Sequence, residues 1–159
     1  MKEFEPSLFD KLFDDVPMLA TRRRLSLEEL KDSVARDLEA LLNARTIIDD
    51  EAIEAFPQVS DSVASFGLSD FAGLSLASVH DRFRICGSIE RAIARHEPRL
   101  KDVHVTLELN RQSTNALYFS IRAVLVVRPA QEPVCFDALL QPTTLQYSVN
   151  KQRLRGVAS

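Results

Sequence analysis

Hydrophobic positions along this chain change period once, and the change divides it into two parts. As far as about residue 96 they recur every three or four residues; beyond residue 102 they alternate by two. Leu8, Phe9, Leu12, Phe13 and Val16 predict a short amphipathic helix over 7–15, capped by Ser7 and stopped by Pro17. Ser26 and Glu29 have capping-box spacing. They open a helix reaching about Ala44, with an apolar stripe of Leu27, Leu30, Val34, Leu38, Leu41 and Leu42. Its outer face (Glu28, Lys31, Asp32, Arg36, Glu39) reads as solvated. Residues 49–54 read as a loop or short turn, 60–66 as a short helix ended by Gly67, and 70–73 as a loop with buried aromatic anchors. A long helix follows over 75–96, with Leu76, Val79, Phe83, Cys86, Ile89 and Ile93 on its buried side.

After that helix the pattern is that of strands. Val103, Val105, Leu107 and Leu109 alternate with His104, Thr106 and Glu108, as in a half-buried strand. Residues 117–127 are apolar on both faces toward their end, which places that strand centrally. Val134, Phe136, Ala138 and Leu140 mark a third strand and 144–149 a fourth; 110–115 and 128–133 carry turn chemistry. Short links favour an antiparallel meander. Helices first and strands later give an α+β fold, with N-terminal helices on one face of a C-terminal antiparallel sheet of about four strands. We divide the chain into a docking segment (1–24), a single α+β domain (25–150) and a flexible basic tail (151–159).

Composition narrows the classes of function. At 159 residues the chain is long enough to bury one core. A net charge of −3 offers no footprint for nucleic acid, and Arg22-Arg23-Arg24 reads as a solvated corner. Cys86 and Cys135 have no disulfide or zinc spacing, and no metal ligand set is expected. The start lacks a signal peptide and no apolar run approaches a membrane span, so a soluble, cytoplasmic protein is expected. The first helix has an acidic polar face (Asp10, Asp14, Asp15), unlike a membrane-surface helix. Two readings of it stay open: it folds back onto its own domain, or it docks in a partner groove through Leu8, Phe9, Leu12 and Phe13.

The most informative short stretch is Glu97-Pro98-Arg99-Leu100. Proline bars the residue before it from helical geometry, so the helix ends near His96 and Glu97 turns extended. Residues two apart then project to one side, which puts the Glu97 carboxylate beside the Arg99 guanidinium on a stiff hinge. Such a pair suits recognition of a protein better than chemistry. A glycosidase acid must hold its proton near neutral pH, and a guanidinium alongside favours the ionised form. The nearest acid in sequence, Asp102, is five extended residues off, ~16 Å away and on the opposite face. Elsewhere Gly67-Leu68-Ser69-Asp70-Phe71 only begins like a nucleophile elbow, and His80, His96 and His104 lack ligand spacing. Cys86 reads as a core residue, and no cofactor site is expected.

Four stretches resemble the TssE family of type VI secretion baseplate subunits, related to the lysozyme-like wedge proteins of contractile phage tails. They are Pro6-Ser7-Leu8-Phe9-Asp10-Lys11-Leu12, Asp37-Leu38-Glu39-Ala40-Leu41-Leu42-Asn43, Phe66–Gly73, and Ile89-Glu90-Arg91-Ala92-Ile93 leading to Glu97-Pro98-Arg99-Leu100. The Glu-Pro-Arg motif is the most specific. Ser69 stands where the family has Pro, and His96 where an aromatic often sits. The resemblance implies a structural, non-enzymatic subunit joining baseplate wedges to the contractile sheath. Implied partners are the TssF and TssG wedge proteins, TssK nearby, and the TssB–TssC sheath, with Glu97, Pro98 and Arg99 in assembly contacts. Sheath assembly is expected to begin by strand pairing at a sheet edge, over either 134–140 or 144–149. The alternative is a peptidoglycan-cleaving, lysozyme-like hydrolase using Glu97.

Overall fold

A computed structural model describes residues 26–46, 48, 50–59, 62, 65–68, 78–108, 116–127, 130–141 and 143–152. The expectations for 7–15, 70–73, 75–77 and 110–115, most of those for 60–66, and those for the tail beyond Gln152 lie outside these residues. The chain forms α1 (Leu27–Asn43), α2 (Asp50–Ala55), a 3-10 turn (Pro57–Val59), α3 (Val79–His96), β1 (Leu100–Glu108), β2 (Leu117–Val127), β3 (Ala130–Gln141) and β4 (Gln146–Lys151). The sheet order is β1-β2-β3-β4, each neighbour antiparallel, and α1 and α3 cover one face. This is the expected α+β architecture, with β2 in the interior of the sheet.

Ser26 caps α1 as its spacing predicts. Its N–H donates to Glu29 Oε2 at 2.8 Å and its Oγ accepts the Glu29 N–H at 3.3 Å. The α1 stripe buries Leu30, Val34, Leu38, Leu41 and Leu42 against Phe119, Ile121, Leu125, Phe136 and Ala138 of the sheet. Its other face is not simply solvated. Lys31 bonds Glu28 at 3.4 Å and lies 3.7 Å from Glu132, Asp32 accepts Lys151, and Glu39 accepts a main-chain N–H of β4. Where 49–54 were expected as a loop or short turn, Asp50–Ala55 form the short helix α2, anchored by buried Ile53. Six residues are too few for periodicity to disclose a helix.

The buried side of α3 differs from expectation. Ile85, Cys86, Ile89, Ala92 and Ile93 are buried, whereas Val79 is 57% and Phe83 73% exposed. At about 100° per residue Phe83 lies roughly 120° from Ile89, the middle of the buried line. The strands also depart in detail. A bulge between Lys101 and His104, with Asp102 at φ 51, shifts the parity of β1, so Leu100 and Val105 are both buried. Ala130 to Pro133, expected in a turn, belong to β3. Thr143 to Leu145 form the turn before β4, and Lys151, placed in the tail, is the last residue of β4.

Candidate functional site

The last turn of α3 closes through the Glu97 N–H on the Ile93 carbonyl (2.9 Å). A tight turn over Pro98 and Arg99 follows, with the Leu100 N–H on the Glu97 carbonyl (3.2 Å) and the Val126 N–H on the Arg99 carbonyl (2.8 Å). The corner is thereby tied to a helix on one side and to β2 on the other. Glu97 is 5% exposed, and both its oxygens are engaged. Arg99 Nε donates to Oε1 and Nη2 to Oε2, each at 2.7 Å, and the Arg99 N–H adds 3.2 Å to Oε1. This is the planar two-point pairing that guanidinium and carboxylate geometry favours.

The sequence pairs Glu97 with Arg99; the fold adds Asp37. From α1 it accepts a second hydrogen bond from Arg99 Nη2, so one guanidinium holds α1 and the α3–β1 corner together. Burial works against the Arg99 charge, but hydrogen bonding and charge from Glu97, then from Asp37, outweigh it and hold the guanidinium firmly ionised. Among the described residues Nη1 makes no hydrogen bond, the side chain is 25% exposed, and Pro98 beside it is exposed. The one sequence signal for Asp37 was its place at the head of the second family-like stretch. Its 62-residue separation from Arg99 is invisible to local pattern.

A second cluster lies behind the corner. His96 Nε2 is 3.1 Å from the Ser65 carbonyl, and its ring meets Phe66 edge-on at 5.3 Å. Gly67 has φ +116, and a Cβ there would lie 2.6 Å from the Ala44 carbonyl oxygen. The next residue, Leu68, donates to that carbonyl (3.0 Å) and accepts from the Thr46 N–H (3.1 Å), pinning the loop to the end of α1. Leu8, Phe9, Leu12 and Phe13 lie outside the described residues. Among the described residues no three His, Cys, Asp or Glu side chains gather as metal ligands, and no helix is long and apolar enough to cross a membrane.

Helix side chains cap main-chain groups on both edge strands. On β4, Asn43 Oδ1 accepts the Tyr147 N–H (2.8 Å), Asn43 Nδ2 donates to the Tyr147 carbonyl (2.9 Å), and Glu39 accepts the Val149 N–H (2.8 Å). On β1, Glu90 accepts the Val105 N–H (2.8 Å). Of the two ranges expected as an edge, 144–149 overlaps edge strand β4, while 134–140 lies in β3, between β2 and β4. Among the described residues Phe136 to Gln141 of β3 pair with β4, the Gln152 N–H adds a bond to the Cys135 carbonyl (2.8 Å), and none pairs with Ala130 to Val134 on that side.

The fold is an α+β domain in which Glu97, Arg99 and Asp37 are joined by ion pairs at the junction of α1 with the α3–β1 corner. The chain belongs to the family of baseplate wedge protein gp25, the family of TssE, whose model matches residues 28–130. No curated protein and no solved structure gives a significant match. The matched range contains Asp37, Glu97 and Arg99. Membership gives the chain a structural role in a phage or type VI secretion baseplate, among other baseplate proteins.

Proposed function

We propose that this chain is a cytoplasmic, non-enzymatic subunit of a type VI secretion baseplate that links the TssF–TssG wedge, with TssK nearby, to the first TssB–TssC sheath ring. The observation that carries this reading is the state of Arg99. Nε and Nη2 are spent on Glu97 and Asp37, which fixes the plane of the guanidinium, and among the described residues Nη1 keeps its two donors free beside exposed Pro98. A fork held this way loses little entropy on meeting a partner carboxylate or carbonyl. Glu97, Pro98 and Arg99 would supply this wedge contact, and Leu8, Phe9, Leu12 and Phe13, whose spacing predicts an amphipathic helix, a further docking contact. Sheath assembly would start by strand addition on the part of β3 that β4 does not reach, since helix side chains occupy positions on the other edges. The carboxylate of Glu97, turned inward and doubly held, is poorly placed for hydrolysis.

Affinity purification of the tagged chain from its native cells tests this, with wild type beside Arg99→Lys. Lysine keeps the charge next to Glu97 but lacks the fork. Recovery of wedge and sheath proteins with wild type, and their loss from a variant with unchanged circular dichroism, is the expected outcome. A lone monomer in both samples would sink the reading; a turbidity assay on peptidoglycan would then become the next measurement.

A further inference from the structure

We propose that the outward face of α3, from Val79 to Arg91, docks an acidic amphipathic helix of a separate partner protein. Two large apolar side chains stand in solvent there at helical spacing: Val79 is 57% and Phe83 73% exposed. Gly87 continues that line one turn on, at the same four-residue step. His80, Arg84 and Arg91 run along the adjoining line, and all three are exposed. The guanidinium of Arg91 lies close over Gly87, with Nη1 3.3 Å from where a Cβ would stand. The face thus sets an apolar line beside a cationic one over about 18 Å of helix.

Charge identifies the occupant. Helix α3 carries four arginines against two acids, and one of those acids, Glu90, is turned to the Val105 N–H of β1. Carboxylates flanking a row of aliphatic side chains complement both lines, with Phe83 as the aromatic anchor. Among the described residues a second copy of this chain offers no such helix. All five acids of α1 are already held: Glu28 and Asp32 by Lys151, Glu29 by the Ser26 N–H, Asp37 by Arg99 and Glu39 by the Val149 N–H. Acidic α2 is six residues long, and its Ile53 is buried. Two α3 faces brought together about a two-fold axis would set arginine against arginine. An anionic membrane surface is also the poorer match. Ile85, Ile89 and Ile93, the broad apolar side of α3, are spent on the core, whereas a surface helix buries a whole face in lipid.

Photo-cross-linking of the full chain in its native cells is the test, with p-benzoylphenylalanine in place of Phe83 and the captured peptide sequenced by mass spectrometry. Phe83 contributes little burial, so this variant should keep its circular dichroism unchanged. The expected adduct lies in another protein, on a segment with apolar residues every three or four positions flanked by Asp or Glu. Arg84→Glu should cut its yield at least roughly tenfold, and changing the facing partner acid to Arg should restore it. No adduct, an adduct within this chain or to a second copy, one on lipid, or a captured segment lacking acids would each overturn the proposal. So would a yield that Arg84→Glu leaves unchanged, or that the partner change fails to restore. This surface is separate from the Glu97–Arg99 corner, so wedge and sheath proteins recovered without an adduct would sink the α3 proposal alone.

Discussion

Arg99 carries two demands, and they predict different outcomes for different substitutions. Arg99→Ala removes the cation bonded to Glu97, whose side chain is 6% exposed, and releases Asp37 as well. Breaking a buried pair from one side costs ~3–5 kcal/mol, so the alanine variant should show a clearly lowered denaturation midpoint. The resemblance implies assembly contacts for this corner; the ion pair to Asp37 adds an internal cost to its loss. Gly67 is constrained for a different reason. With φ +116 and the Ala44 carbonyl 2.6 Å from any Cβ, Gly67→Ala should cost roughly 2 kcal/mol or more, read by urea unfolding. Tyr147 gives a pH signature. Burial, the leading cause, pushes its phenol up to about 12, against ~10 in the unfolded chain. The folded state holds this proton more tightly, so stability is full below pH ~10 and falls as pH rises toward 12. Tyr147→Phe should flatten that alkaline decline in thermal melts.

Elements show how the helices act on the sheet beyond covering it. Asn43, at the end of α1, meets Tyr147 with a paired donor and acceptor, as a neighbouring strand would. Asn43→Ala would leave both main-chain groups of Tyr147 without that partner. A loss of ~1–3 kcal/mol is expected, along with greater self-association in sedimentation, because an uncovered edge invites another strand. Glu39→Gln keeps an acceptor for the Val149 N–H and should shift stability by less than about 1 kcal/mol. The exposed Phe83 marks the opposite case. Its ring contributes little burial, so Phe83→Ala should leave the unfolding midpoint nearly unchanged.

For the molecule as a whole, the pattern of the chain already determined a good deal. Ser26 and Glu29 announced α1 through a local hydrogen-bond exchange, and Pro98 announced the end of α3 through a local clash. The apolar run of 117–127 located β2, and the switch of period placed helices before strands. These signals are readable because each depends on residues within a few positions of one another. Tertiary structure decided what depends on distant pairs. It brought Asp37 to Arg99 across 62 residues and Asn43 to Tyr147 across 104. It also turned Phe83 outward and shifted the parity of β1 at a bulge that no alternation records. A sequence states which faces its elements possess; only packing settles which face meets which neighbour, because that choice minimises exposed apolar area and unpaired polar groups over the whole chain at once.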